Sequence, residues 1–471
     1  MIDALEGAAP VRAVRDVLAE GPRCWLVGGV VRDALLDRPV GDVDIAVDGD
    51  PRQAANTVAR ALGGPAFALS EAFGSWRALD RDRRVSYDVS ALQGASIEED
   101  LARRDFSINA IAVPLQGGEA IDPHGGRADL AQRTLRVLGA SAYQEDPLRA
   151  LRLVRLVSEL GFAPDPETER LTAAAAPRLV EVSPERVFAE LQRMVAAPGV
   201  LAGIDLGARL GVLGAVLPEL TALTGIEQSR FHHLDVYRHT LEVLERLMEV
   251  EADLERFFGE LAEPVADVLA QPLAGELTRG QALRFGALLH DIAKPQTRGA
   301  REDGRVTFIG HDVAGQELSR AMLTRLRTSE RLRAYVGALT RHHLALGFMV
   351  HRMPLEAGDV YGYLDRVEPV EVEVTLLSCA DRMATRGEGQ EPWIDTHLEL
   401  ARELMGPALR WRAAGPPGVP IRGDELAGEL GIDVGPRIGE LLAQLRRAVY
   451  TGEVSNRSQA VAFADRAIRH N

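Results

Sequence analysis

The chain has 471 residues, 46% of them hydrophobic and 26% charged. These proportions exclude wholesale disorder and a collagen-like repeat, and no apolar run nears the roughly 18 residues a spanning helix needs, which excludes a helical membrane protein. Acidic residues (69) outnumber Lys plus Arg (54) for a formal charge of −15, which argues against indiscriminate nucleic-acid binding but leaves room for a local basic groove.

At about 150 residues per domain this length suggests about three domains. The opening stretch, MIDALEGAAPVRAVRDVLAEG, is amphipathic and acidic from Asp3 onward, unlike a secretory leader. Cys24 and Cys379 are too few and too far apart for a disulfide framework or a thiolate metal site, so a cytoplasmic protein is expected. CWLVGGVV, VRDALL and VDIAV read in turn as strand, glycine turn, helix and strand. Further strands are predicted at RVSYDVSAL and INAIAVPL, and after Arg133 apolar residues recur at helical spacing. The predicted fold class is therefore α+β: a small mixed head over 1–140, a helical neck over 141–225, a larger helical domain over 226–385 and a helical tail over 386–471. Pro-bearing junctions near PDPETE and Pro218 and a linker at GPPGVPIRG punctuate the helical part.

Gly28 and Gly29 fall where a buried strand meets a helix, a place where backbone N–H groups reach an anion, and Arg32 follows within the first turn. A lone glycine pair is more often just a tight turn. Asp42 and Asp44 flank Val43; on a strand this spacing points both carboxylates to one face, where they repel unless a cation lies between, and hard oxygen ligands suit Mg²⁺. Alone, such a pair is more often a solvated edge. Asp88, in VSYDVS, is either a third metal-facing carboxylate or a polar strand residue. Downstream, RRDFSINAIAV carries Arg103, Arg104, Asp105 and Asn109, and IDPHGGRADL carries Asp122 and Asp129. In EDPLRALRLVRL, Glu145 and Asp146 precede Arg149, Arg152 and Arg155, which step by about 60° around a helix and form one basic stripe. Exposed Glu–Arg pairing is the alternative use of these charges.

A second constellation runs through HHLDVYRHTLEVL, LLHDIAKP, IGHDVAG, LTRHHLALG and LSCADRMA. A histidine on an apolar helix face is more often core than ligand, but repeated stations shift that balance. An adjacent pair such as His290 and Asp291 can chelate a divalent metal. His232 and His233 are candidates for which loop or capping roles are equally available. Lys294, the only lysine in the chain, either faces a phosphate or is a cationic helix terminus.

GGVVRDALL, DVD, RRDFSINA, DPHGGRADL and EDPLRALRLVRL, in this order, closely resemble the successive motifs of class II tRNA nucleotidyltransferases, the CCA-adding enzymes and their bacterial poly(A) polymerase relatives. The likeness is dense over residues 22–200, through SPERVFAEL. It implies that Asp42 and Asp44 hold catalytic Mg²⁺ and that Gly28, Gly29 and Arg32 meet the triphosphate. Arg104 and Asp105 would lie beside the nucleotide sugar and phosphates, with Arg103 and Asn109 also binding nucleotide. Asp146 and Arg149 would read the base edge, extended by Arg152 and Arg155. His239, His290, Asp291 and Asp381 resemble the ligand order of the HD phosphohydrolase superfamily, with His311 and His342 for a second ion, the metal unidentified. The tail resembles the family's C-terminal segment, with a tRNA contact or a packing role as its two readings. The implied function is template-independent transfer of CMP and AMP from CTP and ATP to the tRNA 3′ end, with a metal-dependent phosphohydrolase attached and no membrane partner. The rivals are an A-adding or CC-adding specialist, a poly(A) polymerase, or an HD phosphohydrolase whose head binds nucleotide without transferring it.

Overall fold

In the computed structural model, residues 5, 7–70, 74–228, 233–386 and 391–469 are described; they fall into two units, residues 1–216 and 217–471.

The first unit is organised by the CWLV run. Strand β1 (Cys24–Val27) is buried at every position, which suits the centre of a sheet. With β2 (Val43–Val47), β3 (Ala66–Ser70), β4 (Ser75–Leu79), β5 (Ser86–Ala91) and β6 (Ala112–Pro114) it forms a six-stranded sheet of order β3-β4-β5-β2-β1-β6. Only β2 and β5 pair in parallel; the other neighbours are antiparallel. This register sets Asp44 opposite Asp88 and Asp88 opposite Arg77, a lateral row of three charged residues. Asp42 lies in a bend just ahead of β2, not within the strand. The turn after β1 has Gly28 at φ +73 and leads into helix α1 (Gly29–Leu35). Helix α2 (Pro51–Leu62) starts where the Asp50 carboxylate accepts the Arg52 N–H (2.8 Å), with proline in the first turn.

The neck is built on helix α3 (Arg149–Leu160), whose apolar side is fully buried and whose arginines occupy the remaining face. Helix α4 (Pro184–Ala196) and the helix Val200–Arg209 pack on it. The second approaches closely because Gly203 has no side chain: a Cβ there would fall 1.9 Å from the Ser158 hydroxyl.

In the second unit, α5 (Val236–Ala252), α6 (Arg279–Leu289), α7 (His311–Arg325), α8 (Glu330–His342), α9 (Glu371–Ala384) and α10 (Glu391–Ala414) form the principal helical framework. Two short two-stranded ribbons, Pro272–Ala274 with Leu277–Thr278 and Gly299–Ala300 with Val306–Thr307, interrupt the helices expected there. Buried Glu371 and Glu373 of α9 accept from Arg412 (2.6 and 2.9 Å), and Glu373 also pairs with Arg279, joining α6, α9 and α10. Residues 415–422 are irregular, and beyond them Gly423–Leu430, Pro436–Tyr450 and Arg457–Arg469 close around their own cluster of Leu426, Leu441, Leu445, Ala460 and Ala464. Among the described residues no helix is long and apolar enough to cross a membrane.

Candidate functional site

In the first unit the charged motif residues line one open cleft of about 1070 Å³. At its floor, Asp44 sits beside the Gly28–Gly29 turn, where a Cβ on Gly28 would come within 3.1 Å of the Asp44 carboxylate and 3.0 Å of the Arg104 guanidinium. The turn therefore needs glycine both for its positive φ and for this approach. Burial, then the Asp88 carboxylate, push Asp44 up to about 6, against the pull of Arg104 and the Gly29 N–H. Asp42 accepts the Ser86 hydroxyl (2.6 Å), and Asp88 is gripped through both oxygens by Arg77 (2.7 Å each). Carboxylates so crowded, one of them raised by burial and by its neighbours, fit a divalent cation with oxygen ligands.

Elsewhere in the cleft the side chains form one relay. Arg32, itself buried, donates to Asn109 (2.9 Å), Asn109 donates to Asp105 (3.0 Å), and Arg152 donates to the other Asp105 oxygen (3.1 Å). Burial alone would raise Asp105; Arg152, Asn109 and the Phe106 N–H hold it instead at about 2. Arg152 and Arg155 share buried Glu190 of α4 (3.3 and 2.5 Å), and Arg155 also holds Glu159 (2.5 Å). Arg149 donates to the carbonyls of Arg103 (2.7 Å), Ala142 (3.2 Å) and Arg104 (3.3 Å), so its guanidinium is fixed with N–H groups to spare. Arg104 pairs with Asp100, and Arg103 lines the rim. Asp122 and Asp129 serve the scaffold: the first accepts the N–H groups of Gly126 and Arg127 (2.7 and 2.9 Å), the second accepts from Ser107 and Arg136.

In the second unit, ligand-type atoms gather in two groups, His239–His290–Asp381 and Asp291–His311–His343. Asp291 lies between them. Its Oδ2 is 3.1 Å from His290 Nε2 and 3.7 Å from His239 Nε2, while its Oδ1 is 3.3 Å from His311 Nε2 and 3.8 Å from His343 Nε2. His239 Nε2 also meets Asp381 at 3.1 Å. His290, His311 and His343 each turn Nδ1 onto the carbonyl three residues earlier, Ala287, Phe308 and Thr340 (2.7–2.8 Å). Those contacts select the tautomer that carries the proton on Nδ1 and leaves the Nε2 lone pair facing the cluster. His311 Nε2 and His343 Nε2 then face each other across 3.2 Å, two acceptors that a cation between them would reconcile. Burial, then proximity to His290, lower His343 to about 4, which keeps that ring neutral. This donor set of imidazoles and carboxylates fits a divalent transition metal.

One expectation needs correction: His343 belongs to the cluster, and His342 does not. Leu332, Val336, Leu339 and Thr340 mark the buried face of α8, and position 343 continues that phase. A one-residue step rotates the neighbour by about 100°, and His342 is left half-buried near Arg366 and Arg341. The same periodicity, read along LTRHHLALG, is the signal that separates the two. His233 pairs with Glu242 (3.5 Å), and His232 lies outside the described residues. Lys294 begins a short helix instead of ending one, and its ammonium is held by Asp291 (2.7 Å) and Gln228 (2.6 Å). The cluster opens into a cavity of about 950 Å³ whose wall includes His397 of α10, hydrogen-bonded to Ser378 (3.0 Å). Arg77, Arg186, Glu190 and His397 were not singled out in the sequence. Arg186 and Glu190, four apart in SPERVFAEL, share a helix face, which is the one local signal available.

Fold and sites together define a polymerase-type nucleotidyltransferase head in one unit and an HD-type cluster of candidate metal ligands in the other. Residues 24–136 match the poly A polymerase head domain, 161–224 the "probable RNA and SrmB-binding site of polymerase A", and 236–386 the HD domain. The A-adding tRNA nucleotidyltransferase of Deinococcus radiodurans is 35% identical, covering 94% of this chain and 95% of its own. The CC-adding tRNA nucleotidyltransferase of Thermus thermophilus is 33% identical, covering 93% and 92%. Among solved structures, the Bacillus stearothermophilus CCA-adding enzyme in complex with CTP superposes with a TM-score of 0.63 at 26% identity, covering 98% of this chain and 97% of its own. The chain belongs to the tRNA nucleotidyltransferase family and is a nucleotidyltransferase with an HD domain.

Proposed function

We propose that the first unit transfers CMP and AMP from CTP and ATP to the 3′ end of tRNA without a nucleic-acid template, as a cytoplasmic CCA-adding enzyme. The observation that carries this reading is the convergence of Asp42, Asp44, the Gly28–Gly29 turn, Asp146 and Arg149 on a single cleft. In the proposal Asp42 and Asp44, with Asp88 beside them, hold Mg²⁺. When bound, the ions neutralise the α-phosphate and favour the deprotonated 3′-hydroxyl. The chain's own work is positioning. Gly28 and Gly29 let the backbone approach the triphosphate, Arg32, whose charge is shared with Asp33 (2.9 and 3.0 Å), lines the cleft beside them, and Arg104 and Asp105 frame the sugar and phosphates. Arg152 and Arg155, held by Asp105 and Glu190, keep the pocket's floor rigid. Asp146 can only accept and Arg149 can only donate, which matches the exocyclic amine and ring nitrogen shared by cytosine and adenine.

The test is incubation of tRNAs ending before the first C, after CC and after CCA, with CTP and ATP separately and together, with products resolved at single-nucleotide length. Stepwise extension to CCA supports the proposal. Extension by CC alone or by A alone gives the specialist reading, the activities for which two of the relatives are named. Asp44→Ala is expected to abolish addition while tRNA binding persists; wild-type CMP incorporation by that variant refutes the metal assignment.

In the second unit His239, His290, Asp291, Asp381, His311 and His343 would hold one or two divalent ions for phosphoester hydrolysis. The three locked imidazole tautomers support this. Purified protein assayed with Mg²⁺, Mn²⁺, Ni²⁺ and Co²⁺ on cyclic and terminal phosphates is expected to hydrolyse at least one; complete inactivity throughout refutes it.

A further inference from the structure

We propose that Arg186 is a positioning residue that sets nucleotide specificity by locking the carboxylate of Asp146; this rests on the reading of Asp146 and Arg149 as the base-reading pair. Asp146 ends the helix Ala140–Glu145 in an extended conformation, and its Oδ1 accepts the Leu148 N–H (3.2 Å). Its Oδ2 accepts from Arg186 at 2.6 Å, reached from the first turn of α4, 40 residues along the chain. A carboxylate held at both oxygens cannot rotate about its own bond. Each oxygen still has a lone pair for a further donor, so Asp146 stays able to receive an exocyclic amine.

The fixed plane matters because the two acceptable bases and the two rejected ones differ in polarity at that point. Cytosine and adenine offer an amine to Asp146 and a bare ring nitrogen to Arg149. Uracil and guanine offer a carbonyl oxygen and a ring N–H, which set acceptor against acceptor and donor against donor. A carboxylate free to swing escapes the first clash. Arg149 is already fixed by three carbonyls, and without Arg186 Asp146 would keep only the Leu148 contact among the hydrogen bonds and ion pairs described for it. The Arg186–Asp146 pair is half exposed on the arginine side (51%), and exposed ion pairs add little to stability, so its removal leaves the fold in place and acts on aim.

The experiment measures kcat/KM for CTP and for UTP on a tRNA lacking CCA, in the full-length wild type and in Arg186→Ala, Arg186→Lys and Asp146→Asn. The expected result is a fall of about tenfold in the CTP:UTP ratio for Arg186→Ala, the loss of one base-discriminating constraint. It should arise mainly through a higher KM for CTP and a gain in UTP use, with partial restoration in Arg186→Lys. A lowered ratio in Asp146→Asn together with a wild-type ratio in Arg186→Ala overturns the locking role. A wild-type ratio in both overturns the base-reading assignment and the locking role with it.

Discussion

Replacing Glu190 by alanine removes the carboxylate that Arg152 and Arg155 share. The glutamate side chain is 9% exposed and that of Arg155 is 6% exposed, so the vacated charges lie in a poorly solvated setting. Breaking a fully buried ion pair by deleting one partner costs about 3–5 kcal/mol. Here Arg155 retains Glu159, and Arg152 retains Asp105 and is 32% exposed, so the lower end, about 3 kcal/mol, is expected. For a unit of this size each kcal/mol shifts the midpoint by about 2–4 °C, giving a fall of about 6–12 °C in the unfolding transition of the first unit. Differential scanning calorimetry of the full chain, variant against wild type, reads that shift. The same variant should raise the KM for CTP, since Arg152 loses one of its two anchors. A midpoint within 2 °C of wild type would refute the claim that this glutamate balances buried charge.

His343→Ala should lower divalent-metal content in the second unit by at least the 10–100-fold in affinity lost when supporting groups are removed, whereas His342→Ala should leave it near wild type; elemental analysis after dialysis distinguishes them. Gly203→Ala should destabilise the first unit by about 1–3 kcal/mol through overpacking against Ser158, read from denaturant unfolding. Asp105, held at about 2 in the folded state, binds its proton less readily there than when unfolded. Its contribution is therefore complete above the unfolded value near 4 and is lost as pH falls from about 4 to about 2, a loss on the order of 2 kcal/mol. Asp105→Asn should flatten that part of the stability–pH curve.

The residues bearing chemistry were legible in sequence because their types and order are distinctive: a glycine pair before a helix, two aspartates around a valine, an arginine stripe, spaced histidines. The strands on which Asp44 and Asp88 sit were equally legible from their apolar β-branched runs. The hairpin β3–β4 was not, because Phe67 and Leu69 are exposed at 43% and 44% and the segment lacks the alternation that marks a half-buried strand. Asp42 follows the same logic: the apolar run begins at Val43, so the carboxylate ahead of it falls in the bend. Pairings such as Arg186 with Asp146 or Glu190 with Arg155 join residues 40 and 35 apart, and no local pattern specifies which distant charges meet. The choice between His342 and His343 lay within reach, since helical phase decides it.

The single lysine has a practical consequence. With Lys294 enclosed at the HD cluster and paired to Asp291, the folded chain offers amine-directed acylating reagents no side-chain target on its outer surface. Acylation of that one ε-amine, which lines the cavity beside the cluster, followed by peptide mapping, therefore reports reagent access to the HD cluster, and loading the neighbouring ligands with metal should slow it.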